Sequence, residues 1–373
     1  MKFTKTTLGE ISIGKGQYGI GASAVDYSEE LYTYLRISDI NDDGTLSMSD
    51  LKSVDDEKAE QYVLKPNDIV FARTGNSTGR NYFYDGTDGT FVYAGFLIKF
   101  SIDPNKVNPK YIKYYCLSDE YKGWVQGHST GSTRGNINAQ TYARMEIILP
   151  PREQQDKLVS ILDNLELKRK NNEAINRNLQ EQCFTIFHGM FDEIMSTSDL
   201  MEFGNIASFK YGTMPKKDKI SDSGYVVFSG YKSVGYYPEK MFDEPQLIIV
   251  ARGVGGTGDV KYTPADCYLT NLAIAIMVEN KVYEEYIYHY LMCQDMKILN
   301  TGSAQPQITV SSLEKYKICV PNEMLAKEFS DIVIPIRDQI RRNRFENDKL
   351  EKIRDCLLPK LMLGEIDVLD LDI

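Results

Sequence analysis

The segment from Gly253 to Gly258 has the GxGxxG spacing of a dinucleotide-binding turn and follows the strand-like run 247–251. Such a turn holds phosphates when a helix begins at its end, because the helix N-terminus supplies the N–H donors. Residues 259–264 instead predict a second strand that ends in a turn at Pro264. We therefore expect a loop between two strands. The alternative is an enzyme that binds NAD or S-adenosylmethionine at this loop.

The first half of the chain contains a similar strand and glycine loop without the GxGxxG spacing. Run 68–72 leads into Arg73 and residues 74–80, as run 247–251 leads into Arg252. Backbone N–H groups of such loops and their flanking arginines can bind DNA phosphates or base edges. The alternative is a plain tight turn. The candidate DNA-binding residues of the two loops are Arg73, Asn76, Ser77, Thr78, Arg80, Arg252 and Thr257.

Two polar segments also carry side chains that are able to read bases. Arginine pairs well with guanine, and asparagine or glutamine pairs well with adenine. Polar loops are commonly no more than solvated surface, and most of the 25 tyrosines are expected to be structural. The candidates in the polar segments are Arg134, Asn136, Asn138, Gln140, Ser303, Gln305, Gln307 and Thr309, and those near glycines are Tyr18, Tyr231, Lys232 and Tyr236.

The common catalytic motifs are absent from the sequence. There is no Walker loop, no Asn/Asp-Pro-Pro-Tyr, no His-Glu-x-x-His and no Gly-x-Ser-x-Gly. The six cysteines are scattered without a Cys-x-x-Cys pair, and there are only three histidines. We therefore expect no catalytic residue, no zinc site and no disulfide framework. The nuclease-like spacing of Glu166 and Lys168 is interpreted as helix surface.

The overall charge argues against a chain that grips DNA alone. Its 373 residues carry a formal net charge of -10, whereas neutralising phosphates normally needs a basic surface. Either basic residues cluster locally or partner subunits hold much of the DNA backbone. No apolar run approaches the roughly 20 residues of a membrane span, and residues 1–7 lack the apolar stretch of a signal peptide. We expect a cytoplasmic protein.

The sequence repeats one plan twice. Gly131 and Gly302 each open a polar loop, and Pro150 and Pro321 each follow an apolar strand; both pairs are 171 residues apart. The globular segments before these prolines hold short runs of Val, Ile, Tyr and Phe between Gly, Asn, Asp and Pro. This pattern predicts an α+β fold with two similar domains, each mixing a sheet with a few helices.

A long helix is predicted after each proline, over roughly 152–192 and 323–363. Apolar residues recur every seven positions with one central asparagine, which predicts a paired seam in which Asn sets the register. The alternative is two amphipathic helices, each packed on its own domain. We expect a kink or break at Pro335 and a glycine C-cap at Gly364. The candidate pairing residues are Leu158, Leu165, Asn172, Leu179, Ile336, Asn343, Leu350 and Leu357.

These features resemble the specificity subunits of type I restriction-modification systems over essentially the whole chain. The strongest matches are residues 150–163, with Pro-Pro-Arg-Glu-Gln-Gln at their start, and the ending 357–368. Segments 35–40, 68–73 and 229–237 add to the resemblance. The start of the second long helix departs from the family pattern, because residues 322–325 lack the Glu-Gln pair.

The resemblance implies a non-catalytic, two-headed DNA reader. Segments 1–150 and 194–322 would be target recognition domains, each reading one half of a bipartite double-stranded DNA target. Segments 151–193 and 323–373 would form an antiparallel coiled coil that spaces the halves. The implied partners are two modification subunits, which methylate adenine with S-adenosylmethionine, and restriction subunits, which use ATP and Mg; this chain would bind no cofactor. Service in a different defence complex, or membership of a phase-variable allele set, is a related alternative.

Overall fold

The computed structural model describes residues 3–129, 135–197, 199–253, 256–301, 307–362 and 364–366. The chain forms two compact units, of which the first is Met1–Lys170 with Glu346–Ile373 and the second is Asn171–Phe345. Each unit combines one globular segment with a part of both long helices.

The first globular segment consists of short strands with three helices, and the first long helix follows it. The strands are β1 Thr4–Thr7, β2 Ser12–Tyr18, β3 Ala24–Asp26, β4 Tyr32–Leu35, β5 Lys52–Val54, β6 Asp68–Ala72, β7 Asn81–Tyr84, β8 Phe91–Tyr93, β9 Leu97–Ile102 and β10 Glu146–Leu149. The helices are α1 Pro109–Tyr115, α2 Asp119–Ser129, α3 Ala139–Ala143 and the long α4 Arg152–Thr197.

The second globular segment has a similar order of elements. Its strands are β11 Leu200–Glu202, β12 Ala207–Tyr211, β13 Tyr225–Phe228, β14 Ser233–Tyr237, β15 Leu247–Val250, β16 Val260–Tyr262, β17 Cys267–Leu269, β18 Ala273–Val278 and β19 Lys317–Cys319. Its helices are α5 Glu284–Met292 and α6 Val310–Glu314, and the long α7 Glu323–Met362 follows.

The sheets of the two segments have matching topologies. The order β2-β9-β6-β7 in the first corresponds to β12-β18-β15-β16 in the second, with antiparallel neighbours throughout. A second sheet pairs β4 with β8, or β13 with β17, in parallel. The first strand of each segment pairs with its last, β1 with β10 and β11 with β19. The predicted repeat of two mixed α+β domains is confirmed.

Strand β15, and strand β6 after its first residue Asp68, are apolar without alternation because both of their faces are covered. In β6, Ile69 and Phe71 face the main core with the helices, whereas Val70 and Ala72 face the second sheet. Strand β15 divides in the same way, with every residue buried. Burying both faces of a strand favours the continuous apolar runs seen in the sequence.

Both long helices contribute to the core of each unit. In the first unit, Leu158 and Leu162 of α4 lie in one cluster with Leu358 and Leu361 of α7 and with the buried face of α1. In the second unit, Phe187 and Phe191 of α4 lie with Phe329 and Val333 of α7. The predicted pairing of the long helices is therefore confirmed, and packing on the globular segments accompanies it.

Within each unit the helices pair in antiparallel fashion. In the first, Lys168 Nζ lies 3.3 Å from Glu346 Oε2, and Leu158 lines a small cavity with Leu361. In the second, the rings of Phe187 and Phe329 are 5.7 Å apart and Asn343 Nδ2 donates to Asn176 Oδ1 at 2.8 Å.

The predicted pairing residues differ in how deeply they are buried. Leu158, Asn172 and Asn343 are buried, and the others are half-buried, namely Leu165, Leu179, Ile336, Leu350 and Leu357. The seam contains more asparagine than the heptad pattern indicated, since Asn343 bonds Asn176, one turn beyond Asn172.

Capping residues flank both ends of helix α7. Asn322 Oδ1 accepts from Leu325 N at 2.9 Å before α7, and Gly364 after it has a φ of 68°, a conformation that favours glycine. Helix α4 continues to Thr197, five residues beyond the predicted 192. Helix α7 passes through Pro335 without a break, so that part of the expectation is wrong. Pro335 is exposed, which leaves water to satisfy the carbonyl it cannot pair.

Candidate nucleic-acid interface

Arg73 directly follows the buried strand β6 along the chain, and its side chain lies beside Tyr18, the last residue of β2. Its guanidinium carbon is 5.0 Å from the centroid of the Tyr18 ring, within range of a cation–π contact. Its Nε is buried and has no hydrogen-bond partner among the described residues. The Tyr18 hydroxyl accepts from Ala139 N at 3.2 Å, which ties the ring to helix α3. The ring and strand therefore hold the arginine in place.

Arg252 occupies the corresponding place in the second segment. It follows β15, and its guanidinium carbon is 5.4 Å from the centroid of the Tyr211 ring at the end of β12. Its Nε is likewise buried without a hydrogen-bond partner in the described part of the chain. The Tyr211 hydroxyl donates to Ile308 O at 3.3 Å, just before helix α6. Each segment thus has an arginine on a tyrosine at the same point of the same sheet.

A glycine follows each of these tyrosines because the backbone leaves no room for a side chain. A Cβ on Gly19 would come within 2.3 Å of the carbonyl oxygens of Tyr93 and Ala94. A Cβ on Gly212 would come within 2.2 Å of the Thr270 oxygen. Sequence reasoning singled out Tyr18 but missed this Tyr-Gly pair, which the dipeptides 18–19 and 211–212 would have signalled.

The loop after β6 and the polar segment before α3 contact each other, which the sequence analysis did not predict. Thr74 pairs with Asn136, and Gly75 N donates to Gly135 O at 3.2 Å. The Thr78 hydroxyl donates to the carbonyls of Gly75 and Gly135, at 2.7 and 3.1 Å. The Thr78 side chain therefore stabilises the loop and its contact with the polar segment, and its hydroxyl proton is engaged within the protein.

The candidate side chains of this loop and of the polar segment differ in how accessible they are. Asn76 and Asn136 are exposed, and Ser77 is half-buried. Arg80 points elsewhere, because its Nε donates to Asp42 at 2.7 Å and its Nη1 to Ile40 O at 3.1 Å. Asn138 caps helix α3, accepting from Thr141 N at 2.9 Å.

The second loop is closed in a related way. Arg252 pairs with Gln307, and Ile308 N donates to Ala251 O at 2.9 Å. The buried Thr257 donates its hydroxyl to Gly253 O at 2.9 Å. Thr309 caps helix α6 as Asn138 caps α3. Among the predicted residues, Arg134, Ser303 and Gln305 lie outside the described residues.

Tyr231 distinguishes the second loop from the first. Its hydroxyl donates to Arg252 O at 3.0 Å. A Cβ on Gly253 would lie 2.5 Å from the hydroxyl oxygen, and a Cβ on Gly256 would lie 2.2 Å from the ring. Lys261 Nζ lies 5.8 Å from the ring centroid, and the Tyr231 side chain remains 38% exposed. The glycines therefore make room for a tyrosine over the loop. Lys232 beside it and Tyr236 in β14 are both exposed.

The GxGxxG segment connects two strands, as expected. Gly258 N donates to Val250 O at 2.9 Å, and β16 pairs with β15 in antiparallel fashion. A strand, rather than a helix, follows the loop, so the helix N-terminus that a dinucleotide phosphate requires does not follow Gly258. Residues 254 and 255 lie outside the described residues.

Two searches of the described residues complete the site description. No group of three or more His, Cys, Asp or Glu side chains among them is arranged to hold a metal ion. None of the helices described is both long and apolar enough to cross a membrane.

Comparison with known proteins defines the family. The sequence model of the type I restriction modification DNA specificity domain matches residues 2–181 and again 195–353. Because these matches cover most of the chain, the chain belongs to this family and carries its domain twice. The predicted family and its two recognition domains are confirmed, whereas the alternative of a cofactor-binding enzyme finds no support.

Individual relatives agree in length and fold. The putative type I restriction enzyme MjaX specificity subunit of Methanocaldococcus jannaschii is 25% identical, over 90% of this chain and 88% of that protein. The HindI specificity subunit of Haemophilus influenzae is 26% identical, over 81% and 87%. The crystal structure of the S subunit of a type I restriction-modification system from M. genitalium aligns with a TM-score of 0.62 at 18% identity, covering 96% of both chains.

Proposed function

We propose that each recognition domain of this specificity subunit binds one half of a bipartite double-stranded DNA target and so directs partner subunits to it. The observation that carries this proposal is the arginine beside a tyrosine ring, Arg73 with Tyr18 and Arg252 with Tyr211, which recurs in both domains at the end of equivalent strands. Each arginine has a buried Nε that is unpaired within the described residues, next to a loop with exposed polar side chains. Two equivalent binding surfaces suit two half-sites.

The shared and unshared residues suggest different roles. Two domains that read different half-sequences cannot do so with identical contacts, so the shared Arg73 and Arg252 are assigned to DNA phosphates. Phosphate contacts position a protein on DNA, whereas base contacts specify the sequence. The unshared side chains are assigned to base edges: Asn76, Ser77 and Asn136 in the first domain, and Tyr231, Lys232 and Gln307 in the second.

The chemistry of the complex is assigned to partner subunits. Two modification subunits would supply S-adenosylmethionine and adenine methylation, and restriction subunits would supply ATP- and Mg-dependent translocation and cleavage. This chain would be non-catalytic. The partners would also hold part of the DNA backbone, which accounts for DNA binding by a chain with a net charge of -10.

The long helices are assigned to spacing and docking. Helix α4 is continuous over 46 residues and α7 over 40 residues. At 1.5 Å per residue these lengths correspond to about 69 and about 60 Å. A rigid helical pair is suited to keep a constant gap between half-sites and to offer a surface to the modification subunits.

The test is methylome sequencing of a methylation-free host that expresses this chain with its neighbouring methyltransferase subunit. We expect methyladenine at one bipartite motif, and no methylation without this chain. Methylation that persists without the chain would contradict the proposal. Isolated chain that methylates or cleaves DNA would contradict its non-catalytic role.

Arginine variants test the assignment of roles within each domain. Arg73→Ala should weaken binding through one half-site and Arg252→Ala through the other, each about uniformly across sequences, with a salt slope smaller by about 1 and no change in the preferred bases. Arg73→Lys is the matched control, because lysine keeps the charge but lacks the fork that pairs with guanine. Retained binding by the lysine variant supports a phosphate contact; loss of one base preference indicates that Arg73 reads guanine.

A further inference from the structure

Equivalent positions of the two long helices carry opposite charges where each helix meets the domain that precedes it. Glu166 in α4 and Arg337 in α7 are 171 residues apart, the same interval that separates Pro150 from Pro321. Each of these side chains faces the helix that packs on it, α1 in the first unit and α5 in the second. The repeat therefore keeps a charged contact between the long helix and the domain helix, but the charge on the long helix has the opposite sign.

In the first unit the helix is acidic and the domain is basic. Glu166 Oε2 lies 2.5 Å from Lys113 Nζ, and Asp163 Oδ2 lies 2.7 Å from Lys110 Nζ. The Tyr114 hydroxyl donates to Asp163 at 2.6 Å. Burial works to raise the pKa of Glu166, but Lys113 opposes it and the pKa lies below its ordinary value. The negative charge of α4 in this contact is therefore divided between Glu166 and Asp163, and each of them pairs with a lysine of α1.

In the second unit the helix is basic and the domain is acidic. Arg337 forms an ion pair with Glu285 of α5, whose side chain is only 3% exposed, and its guanidinium carbon lies 4.4 Å from the centroid of the Tyr262 ring. Burial raises the pKa of Glu285 to about 7, although the charge of Arg337 acts to lower it. Glu284 and Asp338 add negative charge nearby.

We propose that this reversal of charge specifies which recognition domain docks on which long helix. If the first domain docked on α7, Lys110 and Lys113 would face Arg337. If the second docked on α4, Glu285 would face Glu166 and Asp163. Like charges brought together in a docking contact disfavour association, most strongly where one of them is buried, as Glu285 is, so opposite signs at equivalent positions of the long helices discriminate between two otherwise similar docking surfaces. The inference does not depend on how either domain binds DNA.

Charge reversal in the natural chain tests whether the contact discriminates. Lys113→Glu and Glu166→Lys should each raise the unfolding equilibrium constant of the first unit about tenfold, and the double variant should recover most of that loss. Trp124, the one tryptophan of the chain, packs against the core of this unit and provides a fluorescence signal for it. Losses that add up in the double variant, without recovery, would overturn the proposal.

Exchanging the two domains tests directly whether these charges specify which domain docks on which long helix. In a chain with segments 1–150 and 199–322 interchanged, we expect weak docking that Glu166→Arg with Arg337→Glu improves. In the natural order the same two helix substitutions should instead destabilise both units. Protection of buried cysteines from a thiol-labelling pulse reports the folded fraction. An exchanged chain as well folded as the natural one, or one that the helix substitutions do not improve, would overturn the proposal.

Discussion

The two recognition domains share the sheet that presents an arginine on a tyrosine, but they are attached to the long helices by different physics. In the first unit, attachment is spread over ion pairs whose side chains are 22–38% exposed. In the second it is concentrated in one pair, between Glu285, whose side chain is 3% exposed, and Arg337, which is 30% exposed; an aromatic cluster of Phe187, Phe191 and Phe329 lies nearby.

The two units should therefore differ in how much of their stability depends on a single side chain. A partly exposed ion pair contributes about 0–1 kcal/mol, because water screens it and replaces lost contacts. A buried pair contributes little compared with apolar residues, but losing one partner leaves a buried charge that is costly. The second unit should therefore be the more vulnerable to one substitution.

The largest expected effect is that of Arg337→Ala. It should destabilise the second unit by about 3 kcal/mol, the lower end for a broken buried pair, because only Glu285 is fully buried and its carboxylate can take up a proton. The matched control Glu166→Ala should cost the first unit about 1 kcal/mol. Urea unfolding followed by thiol labelling resolves the units, since Cys116 is buried in the first, and Cys267 and Cys319 in the second. Equal losses would contradict the contrast.

The next effect concerns pH. Burial raises the pKa of Glu285 to about 7, so its contribution to stability is present below pH 4.5 and is lost as the pH rises through 7. Burial lowers the pKa of His289 to about 4, so its contribution is present above pH 6.5 and is lost as the pH falls through 4. Between about pH 4.5 and 6.5 the two dependences oppose each other.

Replacing either Glu285 or His289 should reveal the pH dependence of stability that the other residue causes. In Glu285→Gln, stability of the second unit should rise between pH 4 and 6.5, by up to about 1.4 kcal/mol per pH unit. In His289→Phe it should fall between pH 4.5 and 7. Urea midpoints at several pH values, with one labelling pulse at a fixed pH, provide the measurement. Slopes of the same sign in both variants would refute the opposing pair.

A smaller effect is expected in the asparagine seam of the second unit. Asn343→Leu leaves the buried Asn176 without its donor and should cost about 1–3 kcal/mol. Adding Asn176→Leu should remove most of that cost. In the first unit, Asn347→Leu should matter less, because the half-buried Asn347 bonds a backbone carbonyl of Arg169 at 3.3 Å. The same labelling measurement applies, and a double variant less stable than Asn343→Leu would be the contrary result.

The smallest effect should be the same in both domains. Tyr18→Phe and Tyr211→Phe keep the aromatic ring beside each arginine but remove one hydrogen bond of the hydroxyl, to Ala139 N or to Ile308 O. Losing such a bond should reduce the free energy of unfolding of that domain by about 1 kcal/mol. Binding titrations with one altered half-site at a time should show slightly weaker binding through one half and unchanged base preferences. A changed base preference would mean that the tyrosine itself contacts bases.

Much of the fold could be predicted because it rests on local patterns. Proline, the heptads and Gly364 indicated the long helices, and apolar runs between turn residues indicated strands such as β6 and β15. The continuity of α7 through Pro335 could not be predicted, because it depends on the solvent exposure of that turn. The candidate site was predicted in part: Arg73 and Arg252 were identified, whereas Arg80, Thr78 and Asn138 have structural contacts in the folded loop.

The repeat, its 171-residue interval and the family follow from residue order alone, because they are properties of spacing along the chain. The contacts between side chains depend on the folded structure. Tyr18 lies under Arg73, Asn343 bonds Asn176, and Glu285 pairs with Arg337. Such contacts join residues that are far apart in sequence. Strand order, helix direction and burial determine which residues meet, and a local sequence pattern indicates none of these.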